Sequence, residues 1–271
     1  MSSSSHLISS SRPPRSASPV RDWFARAFPN GPTPAQSLAW PAIERGDHLL
    51  LTAPTGNGKT LAAFLAILDR LWGNPPPDGL RCVYLSPLRS LGYDIEKNLN
   101  EPLRAIAAAE GLERSPIRIG VRTGDTTAYA RSKQREAPPH LLITTPESLA
   151  LLLSQDNWNG IWRTVEHVIV DEIHALAPTK RGADLMVSLE RLAACCDRDP
   201  SRIGLSATCR PTSVIAEFLV GPSRVCSIAE APPPPGSPPL EIGVEALQEP
   251  NEAIHRGLSY RRLLNRVRQA V

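Results

Sequence analysis

The chain is poor in aromatic residues, which fill only 5% of its 271 positions. A core of any size must therefore rest on aliphatic side chains. Cysteine is sparse and irregular. Cys82, Cys195, Cys196, Cys209 and Cys226 form no Cys-x-x-Cys pair, and none stands at metal-ligand spacing with a histidine. The odd count argues against a disulfide scaffold, and the spacing argues against a zinc site. The five read as reduced thiols of a cytoplasmic protein, packed as small hydrophobes. No run approaches the ~20 apolar residues that a membrane-spanning helix requires, so no membrane partner is expected. The opening MSSSSHLISSSRPPRSASPVRD lacks the apolar stretch of a secretory signal. Its Ser, Pro and Arg content predicts a disordered tail over residues 1–20. A charge excess is missing too: 30 Lys and Arg face 27 Asp and Glu, a net charge of +3. That balance alone does not argue for nucleic acid.

What is present is alternation. After helical stretches between Trp23 and Arg45, broken by PNGPTP, apolar runs fall at 48–53, 82–86, 117–122, 141–144, 165–170, 203–206 and 225–228. Most are continuous rather than alternating, which predicts strands buried on both faces. Helix-like segments separate them at 61–72, 91–109, 127–135, 146–153, 183–195 and 212–219. The expectation is an α/β domain over 21–230, with a mostly parallel sheet flanked by helices on both faces. APPPPGSPP excludes helix and central strand and predicts a linker over 231–240. Beyond it, Leu263, Leu264, Val267 and Val271 share one helical stripe, and the chain stops without a capping Gly or Pro.

Two motifs carry chemistry. LLLTAPTGNGKT runs a predicted strand into a glycine-punctuated loop, then into a helix at Lys59-Thr60, the arrangement of a phosphate-binding loop. Ala53 stands where the pattern usually has its first glycine. Pro54, Thr55, Gly56, Asn57 and Gly58 form the loop; the two glycines let successive N–H groups turn towards phosphate oxygens. The helix start adds its positive end. Lys59 would meet the β and γ phosphates, and the Thr60 hydroxyl would ligate Mg²⁺. HVIVDEIH then ends a strand with Asp171-Glu172. Ligands of open α/β sheets bind beyond the carboxyl ends of strands, so Asp171 is expected beside the loop as a second Mg²⁺ ligand through water. Glu172 is the candidate to orient or deprotonate the attacking water. His174 reads as a switch contact near the γ-phosphate, because no second residue supports a zinc site.

APTGNGKT, DEIH and the SAT at Ser206–Thr208, in that order, resemble the superfamily-two helicases. PTPAQSLAWPAI, YLSPLRSLGYDIEKNL, RTGDTTAYARSK, LLITTPESLALLL, DEIHALAPTKRGADLMVSLERL and RIGLSATCRPTSVIAEFLVG narrow the resemblance to the Lhr-like group of DEAD/DEAH-type helicases. The resemblance implies the N-terminal ATP-binding RecA-like domain of such an enzyme, with ATP and Mg²⁺ as its ligands and 3′–5′ translocation and DNA repair as its context. Gln36 matches the adenine-reading glutamine; an amide both donates and accepts. Pro87, Leu88 and Arg89 match the first strand-contacting motif. Arg122, Thr123, Gly124 and Asp125 match the second, and Thr144, Thr145, Pro146 and Glu147 the third. Ser206 and Thr208 match the motif that couples nucleotide state to strand grip. Asn57 and Pro178 depart from residues common in relatives, Ser and Gly respectively, without removing a catalytic group.

The implied partners are single-stranded or partly duplex nucleic acid, DNA favoured, and a second RecA-like domain in cis or in trans. That second domain would supply arginines, and residues 241–271 read as its truncated start. Arg261, Arg262, Arg266 and Arg268 there read as a solvated face. An autonomous nucleotide- or strand-binding module with little ATP turnover stays open beside the helicase half. A small-metabolite kinase would leave SAT and TTPE without a job.

Overall fold

The computed structural model describes residues 18–73, 79–87 and 89–232. The Pro-rich linker, the segment 241–271 and almost all of the N-terminal tail lie outside the described residues. One boundary moves. Helix α1, Pro19–Ala27, starts two residues inside the stretch expected to be a tail, and Val20 is buried. The reason is local: the Ser18 hydroxyl caps the Arg21 N–H, and Pro19 sits in the first turn, where its missing N–H is no loss.

Helix α2, Pro34–Arg45, follows and opens on a capping box of Thr33 and Gln36. Then strands and helices alternate: β1 His48–Thr52, α3 Lys59–Gly73, β2 Cys82–Leu85, α4 Arg89–Ala109, β3 Ile119–Arg122, α5 Ala128–Glu136, β4 Leu141–Thr144 and α6 Pro146–Leu152. The second half carries α7 Asn159–Trp162, β5 His167–Val170, α8 Ile173–Leu176, α9 Lys180–Cys195, β6 Ser201–Ser206, α10 Thr212–Val220 and β7 Cys226–Glu230. All seven expected strands form. The short helices α7 and α8 were not anticipated, since four residues carry no readable period.

The strands make one sheet in the order β3-β4-β2-β5-β6-β1-β7, with every pairing parallel. Successive side chains of each strand enter opposite layers. Leu49, Leu51, Tyr84, Ile143, Ile169 and Leu205 join the core under α1 to α4. Their neighbours Leu50, Val83, Leu85, Leu142, Val168 and Val170 join the core under α6 to α10. Two filled faces explain the unbroken apolar runs. Gly204 in β6 has no side chain because α10 lies too close; a Cβ there would stand 2.9 Å from Leu219 Cδ2.

Because every strand points the same way, all loops that follow strands gather at one edge. The carboxyl ends of β5, β6 and β1 are neighbours, and so are those of β3, β4 and β2. The sheet thereby sorts the sequence motifs into two halves of a single face.

Candidate active site

The loop Ala53–Gly58 leaves the end of β1, and α3 begins at Lys59. Gly56 and Gly58 take φ of +81° and +71°, the left-handed region that only glycine enters freely. Lys59 is buried, and its Nζ donates to Ala53 O at 2.8 Å and Pro54 O at 3.0 Å. The ammonium thus folds back on the carbonyls of its own loop. Burial pulls its pKa down, against the pull of Glu172 and Asp171.

Asp171 follows β5 and is buried. Its Oδ2 accepts a very short hydrogen bond from the Tyr84 hydroxyl, and its Oδ1 accepts from the Glu172 N–H at 3.0 Å. Burial pushes the carboxyl pKa up; the Tyr84 hydrogen bond is the largest opposing influence. Tyr84 is itself fully buried in β2 and stacks on Phe64 of α3 at 4.9 Å. Its own pKa is driven up, first by burial and then by the Asp171 charge. Glu172 sits at φ 48°, ψ 40°, the one non-glycine residue of positive φ among those described. Such strain collects at functional sites.

His174 Nδ1 accepts the Ala207 N–H at 3.3 Å, and Glu172 Oε2 lies 3.4 Å from the same nitrogen. A nitrogen that accepts carries no proton, so the Glu172 contact is not an ion pair in this arrangement. The bond ties α8 to the loop after β6. There Ser206 is buried, with its hydroxyl donating to Ala207 O, whereas Thr208 is exposed.

Gln36 is buried, not a surface residue. Its Oε1 accepts the Thr33 N–H at 2.8 Å, and the Thr33 hydroxyl donates to Asn57 O at 3.2 Å. A Cβ on Gly58 would stand 3.2 Å from Gln36 Nε2. The capping box therefore rests on the phosphate loop and leaves the amide nitrogen facing it. A cleft of about 680 Å³ opens beside the loop, bounded by Lys59, Thr60, Asp171 and Glu172 and walled by Trp23 and Phe28. That volume suits a nucleotide-sized ligand. Trp23, Phe28 and Tyr84 escaped sequence reasoning; in so aromatic-poor a chain, their rarity was the available signal.

The other half of the face is built from the ends of β3 and β4 and the start of α6. Arg122, Thr123, Thr144, Thr145 and Pro146 are buried, not presented as side chains to solvent. Arg122 stacks on the Trp158 ring, 5.7 Å from its centroid, and burial lowers its pKa to about 10. Thr144 Oγ1 donates to Arg122 O at 2.6 Å, and Thr145 caps α6 through the Ser148 N–H. The reason is geometric: these residues end or cap elements that pack against neighbours. Gly124 and Glu147 are exposed, and Pro87 is half-buried. Glu147 is paired with Arg181, whose hydrogen bonds hold its pKa down. Arg89 begins α4.

Sheet order, glycine loop and acidic strand end together define a RecA-like P-loop domain. The sequence profile of the DEAD/DEAH box helicases matches residues 33–216, and the chain belongs to that family. It is 46% identical over 231 residues to the Lhr helicase/probable uracil glycosylase of Mycolicibacterium smegmatis, covering 83% of this chain and 15% of that protein. It is 49% identical over 222 residues to the ATP-dependent helicase Lhr-Core of Methanothermobacter thermautotrophicus, covering 78% of this chain and 25% of the relative. The solved structure of Mycobacterium smegmatis helicase Lhr bound to ssDNA and AMP-PNP superposes with a TM-score of 0.73 at 47% identity, over 80% of this chain and 28% of that one. The chain thus spans between 15% and 25% of the length of these two curated relatives.

Proposed function

We propose that this chain is the ATP-binding and nucleic-acid-binding half of an ATP-dependent helicase, completed by a second RecA-like domain. The observation that carries this is the convergence of Lys59, Thr60, Asp171 and Glu172 on one cleft at the carboxyl ends of β1 and β5.

The residues suit ATP with Mg²⁺. The Thr60 hydroxyl and the Asp171 carboxylate are both hard oxygen donors. Lys59 spends its donors on loop carbonyls, contacts that phosphate oxygens would replace with charge-assisted bonds. Bound Mg²⁺ would neutralise charge on the phosphates. Gly56 and Gly58 shape the cradle, and α3 aims its N-terminus into it. Gln36 Nε2, beside the loop, donates to the base. Glu172 takes a proton from water, or orients it, with His174 reporting its position to the Ser206–Thr208 loop. The strand-facing half grips nucleic acid through the exposed backbone at Gly124 and the loop ends at Pro87 and Glu147. Arg122 Nη1 and Thr123 Oγ1, buried without hydrogen-bond partners, are in place to accept a phosphate once a strand opens that loop. DNA is favoured because ssDNA occupies the Lhr relative.

Among the described residues, Lys59 is the one cation lining the cleft. An arginine supplied from another domain is typically worth about 10³–10⁵ in rate, so the chain alone should hold ATP far better than it hydrolyses it. The test compares ATPase with and without single strands, for this chain and for a version extended through a second domain. Lys59→Ala should lose nucleotide binding in both. Glu172→Gln should keep binding and lose hydrolysis in the extended protein. Brisk strand-stimulated turnover by the chain alone would instead support a self-sufficient enzyme and sink the two-domain reading.

A further inference from the structure

The opposite edge of the sheet, where strands begin, carries a second cleft of about 550 Å³. It is formed by the residues that enter β1, β2, β5 and β6, far along each strand from the phosphate loop. Arg45, Arg70, Arg81, Arg163 and Arg198 line it, against the carboxylates of Glu166, Asp197 and Asp199. Arg81 Nη1 lies 3.1 Å and Arg70 Nε 3.6 Å from Glu166, so two guanidinium groups share one carboxylate. Arg163 pairs with Asp197 at 3.0 Å.

The floor of the cleft holds a chemical anomaly. His167, at 3% exposure, places Nδ1 2.7 Å from Ser201 Oγ, while its Nε2 is buried with no hydrogen-bond partner. Arg81 Nε is in the same state. Burial first, then the nearby Arg70 charge, lowers the imidazole pKa to about 4. Two other carboxylates near this ring, Glu44 and Asp69, are held by Arg21 at 2.6 and 2.8 Å. What the cluster lacks is an acceptor that can serve several donors from different directions.

We propose that this cleft is a binding site for a phosphoryl anion, seated on the guanidinium groups of Arg81 and the half-exposed Arg70, with the buried His167 ring beneath them. The tetrahedral oxygens of phosphate accept from two guanidinium groups approaching from different directions, which a planar carboxylate such as Glu166 does less well. Ser201 can donate to Nδ1, which leaves the proton on Nε2, so the ring reports a negative charge brought in above it. The same phosphoryl chemistry is carried by a free nucleotide and by a nucleic-acid backbone, and the second arm of the test separates the two.

The test follows the His167 ring by NMR in histidine-labelled protein of Lys59→Ala background, which removes the phosphate loop as a competing site. Inorganic phosphate at fixed ionic strength should shift the His167 signals saturably and raise the ring pKa, with chloride as the control. Arg70→Ala, at a side chain 55% exposed and so neutral to folding, should raise the half-saturating phosphate by about tenfold. AMP and a short deoxythymidine oligonucleotide are the second arm: whichever saturates at the lower concentration is the source of the phosphate. A His167 response no larger than that to chloride, or one unchanged by Arg70→Ala, overturns the proposal.

Discussion

Tyr84 is the residue whose consequences reach furthest. Its phenol is buried in the centre of the sheet, yet it donates to Asp171, a carboxylate that lines the cleft beside the phosphate loop. Asp171 is left with two oriented bonds, one on each oxygen, and free lone pairs towards the cleft. Tyr84→Phe keeps the ring against Phe64 and removes the hydroxyl. A buried group that loses its partner costs about 1–3 kcal/mol. We expect that loss in denaturant unfolding, together with a several-fold higher Mg²⁺ requirement for nucleotide binding and unchanged binding without Mg²⁺. An unchanged Mg²⁺ requirement would mean that the phenol holds the fold and not the carboxylate. Sequence reasoning reached Asp171 because acidic residues after an apolar strand are conspicuous. It missed Tyr84 because a tyrosine inside CVYL reads as core.

At the scale of elements, the closest approach at any described glycine is where α9 meets the end of α8. A Cβ on Gly182 would fall 2.1 Å from Leu176 O and 2.7 Å from Leu176 C, with Phe218 Cζ at 3.1 Å. Backbone, not a flexible side chain, stands in the way. Gly182→Ala should therefore destabilise the domain by about 1–3 kcal/mol, as overpacking does. In a fold of this size each kcal/mol lowers the melting midpoint by about 2–4 °C, which calorimetry resolves. An unchanged midpoint would show that α9 can slide, and with it the Glu147–Arg181 pair that ties α6 to α9. The long elements were legible because buried parallel strands are unbroken apolar runs and their helices carry a period. The starts of α8 and α1 were not, since they depend on the αL turn at Glu172 and the Ser18 cap.

For the whole molecule, acid is the revealing perturbation, because the two largest downward shifts below neutrality, at His167 and Glu190, fall in separate windows. His167 is held neutral, its pKa lowered from 6.5 to about 4. The unfolded chain takes up that proton first, so this contribution is complete above pH ~6.5 and disappears as pH falls towards 4. For so buried a ring it amounts to about 3 kcal/mol at most. Glu190, bonded by Arg224 and Arg202, has its pKa lowered to about 2 from 4.5. Its stability is present above the unfolded value and is lost only as pH falls towards 2. At 52% exposure that part is small. Global unfolding followed from pH 7 to 3 should show the main decline between 6.5 and 4, and His167→Gln should reduce it to the smaller share of His48, whose pKa burial also lowers. A decline that begins only below pH 4.5 would assign acid lability to the carboxylates instead.

The sequence by itself determined the order of strands and helices, the phosphate loop and the acidic strand end. Each is a local pattern, set by side-chain period, by glycine in a turn, or by charge after an apolar run. It determined too that these residues meet at one edge, because a parallel sheet sends every strand-following loop there. Only the tertiary structure decided what lies between them. It put Tyr84 on Asp171, the Gln36 capping box on the phosphate loop and His174 on Ala207; it also turned Arg122 inward onto Trp158. It gathered arginines from four separate entries to the sheet around one unsatisfied imidazole. These are contacts between residues 24 to 87 positions apart, and no periodicity along the chain encodes which side chain a neighbouring strand will present.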